Sequence, residues 1–156
     1  MELAEVLRVL ATVRDVGCQF WLEGGWGVDA LLGHQTRPHR DVDIDFDGVH
    51  EADVLAALAE LGYGVETDWR PTRVELVAPG RGCVDLHPLL IEASGNARQA
   101  AIGGGWHRFP RAYFTTGSLG GFPVPCITAA AQRRFHSGYP LRDLDRHDLA
   151  LLESLD

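Results

Sequence analysis

Residues 20–46 read FWLEGGWGVDALLGHQTRPHRDVDIDF, and the last six of them decide the fold. In a strand, successive side chains point to opposite faces. Asp41, Asp43 and Asp45 therefore share one face, and Val42, Ile44 and Phe46 share the other. The apolar face suits a core. The acidic face spaces its carboxylates about 6.6 Å apart along the strand. Two such charges about 5 Å apart repel by about 1 kcal/mol in water and about 3 kcal/mol at an effective dielectric near 20. Three readings follow from that repulsion: a solvated face, an edge strand charged against aggregation, or oxygen ligands for a hard cation such as Mg²⁺.

Upstream of the acidic strand lies a short strand over residues 19–22, then Gly24-Gly25, then a helical pattern over 26–32. A strand, a glycine turn and a helix N-terminus make a suitable phosphate site, because the backbone can approach closely and the dipole favours anions. The same two glycines also serve as an ordinary tight turn. The loop over 33–40, GHQTRPHR, puts Arg37 and Arg40 just before the acidic strand. They can pair with its carboxylates or reach a phosphate with their planar forks.

Downstream, Cys83-Val84-Asp85-Leu86-His87 alternates in the same way, with Cys83, Asp85 and His87 on one face. If this strand lies beside the acidic one, Asp85 joins Asp41 and Asp43. His87 is expected to orient a neighbour or cap a loop rather than to bind metal. An amphipathic helix is predicted over 2–16 from Leu3, Val6, Leu7, Leu10 and Val13, with Gly17 as its stop. Further expectations are a helix over 51–61, strands over 63–67 and 73–77, and a hairpin over 112–116 and 121–126. Thr128 caps a helix reaching residue 136, and Ser137-Gly138-Tyr139-Pro140 forms a turn. A last helix over 141–154 places Leu144, Leu149 and Leu152 in the core and uses Asp143, Asp145 and Asp148 structurally. Residues 92–110, with Gly103-Gly104-Gly105, read as a long loop of the lid type.

Composition narrows the partners. The 156 residues are 46% hydrophobic and 23% charged, as in an ordinary soluble globular chain, and suit one domain over 1–156. No apolar run approaches the roughly 20 residues of a membrane helix. The first residues lack the basic start of a signal peptide. A net charge of −8 argues against nucleic acid as a general partner and is compatible with a cationic substrate. Lysine is absent, which excludes Schiff-base and P-loop lysine chemistry. Cys18, Cys83 and Cys126 have no zinc-ligand spacing and read as buried thiols of a cytoplasmic protein.

Gly24-Gly25-Trp26, then Asp41-x-Asp43 in hydrophobic alternation, then Asp85 on a later strand, resembles the nucleotidyltransferase superfamily that includes DNA polymerase beta. The longer string GGWGVDALLGHQTRPHRDVDIDF, with the tail FHSGYPLRDLDRHDLALL, is similar to the small antibiotic nucleotidyltransferases that act on lincosamides and on the 2″ position of aminoglycosides. The resemblance implies an α+β fold, a mixed β-sheet flanked by helices with short C-terminal helices. It implies transfer of a nucleoside monophosphate, AMP foremost, from a nucleoside triphosphate to a hydroxyl of a small molecule. Asp41, Asp43 and Asp85 would hold Mg²⁺, with two ions expected, and Asp85 would take the acceptor proton. Gly24 and Gly25 would meet the phosphates, and Arg37 would stabilise phosphate charge. A homodimer completing the site is a further expectation. The competing readings are a non-catalytic nucleotide- or partner-binding module of the same fold and a nucleotidyltransferase acting on a protein, as in toxin–antitoxin systems.

Overall fold

The computed structural model describes residues 1–137 and 140–155. Its helices are α1 (Leu3–Asp15), α2 (Gly24–Leu32), α3 (Glu51–Glu60), α4 (Ala129–Phe135) and α5 (Asp143–Leu152). Its strands are β1 (Phe20–Glu23), β2 (Asp41–Asp47), β3 (Gly64–Trp69), β4 (Arg73–Ala78), β5 (Gly82–Ile91), β6 (Ala97–Ala100), β7 (Trp106–Phe109), β8 (Phe114–Leu119) and β9 (Phe122–Ile127). The fold is α+β, as the resemblance implies.

The strands form one mixed sheet in the order β3-β4-β5-β2-β1-β9-β8, and β6 and β7 continue from the far half of β5. β2 runs parallel to β5 and antiparallel to β1. The alternation of β2 works as its sequence dictates. Val42, Ile44 and Phe46 are fully buried and meet Leu22, Val84 and Leu86 from neighbouring strands. Val6, Val9, Leu10 and Val13 of α1 and Val54 and Leu58 of α3 complete this core. Gly17, at φ +83°, ends α1 in a conformation only glycine adopts without strain. A smaller cluster of Leu89, Ala97, Phe109, Ile127 and Ala131 lies under β6 and β7. The three cysteines are buried and free.

Some expectations are corrected. Residues 92–110 are not a lid-type loop but carry the hairpin of β6 and β7, closed by a turn in which Gly103, Gly104 and Gly105 all have positive φ. Ala97, Gln99 and Phe109 point inward, and Arg98 stacks 4.7 Å over Trp106 on the outer side. The inward residues are too small and polar for the alternation to show as hydrophobicity. Helix α2 starts at Gly24 rather than after the glycine pair. In α5, Leu144 is half exposed, while Asp145 and Asp148 are buried beside Leu152. Thr128 does cap α4, accepting from the Ala131 N–H at 3.3 Å. The expected turn over 137–140 includes residues 138 and 139, which lie outside the described residues. Among those described, no helix is long and apolar enough to cross a membrane.

Candidate active site

Strand register builds the site. Glu23 pairs with Asp43 across β1 and β2, Asp43 with Asp85 across β2 and β5, and Asp85 with Glu75 across β5 and β4. Four carboxylates therefore stand in one row across four strands, on the face opposite the core. One step along, Asp45 pairs with His87. The row floors a cleft of about 600 Å³ that Asp41, Arg37, Arg40 and Arg73 also line. Its far wall comes from the end of α4 and from α5, through Phe135, His136, Arg142, Leu144, Asp145 and Asp148. A second cleft of similar volume, between α1 and β9, is lined by Leu7, Leu10, Phe20, Trp21 and Phe122 and has no carboxylate, so it offers no cation site.

Asp43, Asp85 and His87 each place a donor atom within 4.8 Å of the others. Asp41 lies farther along β2 at the rim. The donors are mostly hard oxygen, and one Asp85 oxygen and His87 Nε2 are buried with no hydrogen-bond partner. Such a set fits a divalent cation with oxygen preference. Asp85 also accepts from Arg73 Nη1 at 2.6 Å, and Arg73 in turn stacks 4.3 Å over Trp69. Burial, joined by the charge of Asp43, outweighs His87 and Arg73 and pushes the Asp85 carboxyl up to about 6. Asp41 is raised by burial and then by Asp43. Burial opposes a charge on His87, but Asp43, Glu23, Asp85 and Asp45 together push it up to about 10.

Behind the row, Glu23 and Asp45 form a buried pair. Burial raises both, and the Glu23 charge raises Asp45 further. As a carboxylate, Asp45 would have two buried oxygens without a partner. Protonated, it donates to Glu23, and this explains how the third aspartate of the alternation is tolerated at full burial.

The glycine pair has a packing reason. Gly24 sits at φ +60°, and a Cβ there would stand 2.2 Å from Asp43 Oδ2. A Cβ on Gly25 would stand 2.5 Å from His39 Nδ1 and 2.6 Å from Arg37 Nη2. The missing side chains thus make room for the site's own groups. Gln132, fully buried on α4, donates to the Gly24 carbonyl at 3.3 Å and fills the space left by Gly27.

Arg37 lines the cleft, but its fork is already engaged. Nε donates to Asp148 Oδ1 at 3.0 Å and Nη2 to Oδ2 at 2.6 Å. Nη1 faces His39 Nδ1 at 2.9 Å, and the other ring nitrogen of His39 meets Asp29. Asp29 also accepts from the Thr36 hydroxyl at 2.7 Å. Burial works against the Asp29 charge, and the His39 and Thr36 hydrogen bonds outweigh it, holding that carboxyl below its usual range. This network ties α2, the 33–40 loop and α5 together. Asp145 caps α5 by accepting from the Arg142 N–H at 2.8 Å. Arg40 reaches Glu75 at 3.6 Å.

Removing one partner of a buried ion pair typically costs 3–5 kcal/mol. Arg37 is partly exposed, so Asp148→Ala is expected to cost about 3 kcal/mol, the lower end of that range. At this chain length the loss lowers Tm by roughly 6–12 °C, readable by thermal melting.

Glu23, Glu75 and the Arg37–Asp148 pair were not predicted from sequence. Glu23 carried one signal, a carboxylate ending an apolar strand directly before two glycines. Asp148 carried none, since its partner is 111 residues away.

The family model of aminoglycoside-2″-adenylyltransferase matches residues 5–152. A lincosamide resistance protein of Staphylococcus haemolyticus is 39% identical over 151 residues, covering 97% of this chain and 94% of that protein. The crystal structure of the lincosamide antibiotic adenylyltransferase LnuA, lincomycin-bound, superposes with a TM-score of 0.90 at 38% identity, over 98% of this chain and 97% of that one. ANT(2″)-Ia in complex with adenylyl-2″-tobramycin shares the fold, with a TM-score of 0.77 at 20% identity over 99% of this chain and 89% of that one. The chain belongs to the aminoglycoside-2″-adenylyltransferase family, and it is a nucleotidyltransferase.

Proposed function

We propose that the protein transfers a nucleoside monophosphate, AMP foremost, from a Mg²⁺-bound nucleoside triphosphate to a hydroxyl of a lincosamide. The observation that carries this reading is the register that sets Asp43 beside Asp85 on parallel strands, with Asp41 on the same face, in a cleft at the start of α2. Likeness to a lincosamide resistance protein over 97% of the chain supports the acceptor. An aminoglycoside acceptor is the second reading, favoured by the family model and by a cleft lined with Glu23, Asp41, Asp43, Glu75, Asp85, Asp145 and Asp148, which suits a polycation.

Asp41, Asp43 and Asp85 would hold Mg²⁺, with two ions expected. When bound, the cations neutralise the triphosphate and polarise the reacting phosphorus. Asp85 takes the acceptor hydroxyl proton, a role worth typically about 10²–10⁴-fold. Arg73 fixes the Asp85 carboxylate for that role. Gly24 and Gly25 bring backbone N–H groups to the phosphates at the α2 N-terminus. The Arg37 N–H left over from Asp148 and His39 faces phosphate charge. The bond from phosphorus to the pyrophosphate oxygen breaks as the acceptor oxygen bonds to phosphorus. A homodimer, completing the acceptor side across its interface, sediments at twice the monomer mass. Transfer is tested by Mg²⁺-dependent pyrophosphate release from ATP that a lincosamide stimulates. Release without such stimulation overturns the acceptor assignment.

The carboxylate cluster also sets a pH dependence. The folded-state pKa of Asp85 is raised to about 6 from the ordinary carboxylate value. Its contribution to stability is full below the ordinary range and is lost as pH rises through about 6. Asp41, raised in the same direction, adds to the loss. His87 extends it at higher pH, up to about 10. In metal-free buffer, Tm is therefore expected to fall from pH 5 to pH 8, and Asp85→Asn to flatten the fall. Mg²⁺ should raise Tm at pH 8 and have little effect at pH 5. A Tm that rises with pH in metal-free buffer contradicts this account.

A further inference from the structure

Gln99 is buried on β6, in the segment expected to be a loop. Its Nε2 lies 3.1 Å from the Thr72 carbonyl oxygen and 2.9 Å from His87 Nδ1. The carbonyl can only accept, so the amide must present its NH₂ there rather than its oxygen. The same NH₂ then donates to His87 Nδ1, which must carry a lone pair. A ring with an unprotonated Nδ1 has its proton on Nε2. His87 Nε2 points into the carboxylate cluster, 3.8 Å from Asp43 Oδ1 and 3.9 Å from Asp85 Oδ2.

Geometry alone would let His87 serve as a nitrogen ligand, since its donor atom belongs to the same 4.8 Å group as Asp43 and Asp85. Ligation requires the opposite tautomer, with a proton on Nδ1 and a lone pair on Nε2. Ligating histidines ordinarily give that other N–H to a carbonyl or carboxylate. Here it would face an N–H donor. The fully charged ring also carries a proton on Nε2, so either state that Gln99 and the carboxylates favour leaves Nε2 a donor.

We propose that Gln99 is a positioning residue that keeps His87 a hydrogen-bond donor to Asp43 and Asp85 and bars it from the metal. The consequence is a site with oxygen ligands only, which selects Mg²⁺ over the transition metals that imidazole favours. The inference rests on the cleft being a metal site.

The test uses ¹⁵N-histidine-labelled protein and long-range ¹H–¹⁵N spectra, without metal and with Mg²⁺. The wild type should show His87 protonated on Nε2 in both. A His87 protonated on Nδ1 alone overturns the proposal and needs no variant. Gln99→Glu replaces the donor with an acceptor and should release Nε2 for ligation. Its affinity for Zn²⁺ relative to Mg²⁺ should rise about tenfold or more, the range typical of groups that orient ligands. The gain should vanish in Gln99→Glu with His87→Asn, which removes the ring and controls for zinc held by other histidines. An unchanged Zn²⁺/Mg²⁺ ratio in folded Gln99→Glu overturns the proposal while leaving the metal site standing. Mg²⁺ binding that survives Asp43→Asn undiminished overturns the metal site itself.

Discussion

Asp43→Asn is expected to lower nucleotidyl transfer by at least about 10³-fold, the upper end of what one electrostatic group contributes, while the protein stays folded. Asp43 stands at the centre of the row, between Glu23 and Asp85 by register. It is the one carboxylate that touches both the cation-binding trio and the Gly24 backbone. Asparagine keeps the shape against Gly24 and removes the charge. Loss of that charge also relieves repulsion on Asp41 and Asp85, each raised in part by Asp43. Tm in metal-free buffer should therefore hold or rise, and only the response to Mg²⁺ should disappear. Asp41→Asn is expected to act in the same direction from the rim of the cleft. Circular dichroism and a pyrophosphate assay on the purified variant separate the two effects. A variant that is folded and fully active removes the carboxylate mechanism.

Gly24→Ala has the second largest expected effect. An L-residue at φ +60° carries about 1–2 kcal/mol of strain. The larger consequence is the Cβ that would lie 2.2 Å from Asp43 Oδ2. Either Asp43 swings away from the trio or the first turn of α2 moves off the strand. A misplacement near 1 Å is enough to lose about 10²-fold in rate. Gly33→Ala is the control. Gly33 has φ +81° and nothing within 4 Å of its would-be Cβ. That variant should show the strain in its Tm and keep its activity. Equal activity losses in both variants would mean that the glycines act through helix stability and not through Asp43.

The acidic strand was legible because its period of two is visible in seven residues and because its apolar partners are large. The parallel neighbour was legible for the same reason, once Asp85 fell on the polar face of a second alternation. Their adjacency came from the resemblance and not from periodicity. The glycine pair was legible as a close approach, but what approaches was not. Sequence suggested phosphate, and the structure puts Asp43, His39 and Arg37 against the missing side chains. The same limit hid the Arg37 pairing, because a loop arginine next to an aspartate run points to local partners, and Asp148 comes from the last helix. Helix α5 inverted the usual signal, burying Asp145 and Asp148 and exposing Leu144, since it packs on a polar cleft. The hairpin of β6 and β7 stayed hidden because alanine and glutamine fill its inward positions.

The central claim is that the cleft transfers a nucleoside monophosphate to an antibiotic hydroxyl. It is tested most directly by incubating the protein with Mg²⁺, a mixture of nucleoside triphosphates, and lincosamides and aminoglycosides together, and reading the masses of the drugs. A lincosamide heavier by one nucleoside monophosphate, absent without Mg²⁺ and absent with Asp43→Asn, is the predicted result. Drugs recovered at their original masses, from a folded protein that binds triphosphate, would contradict it.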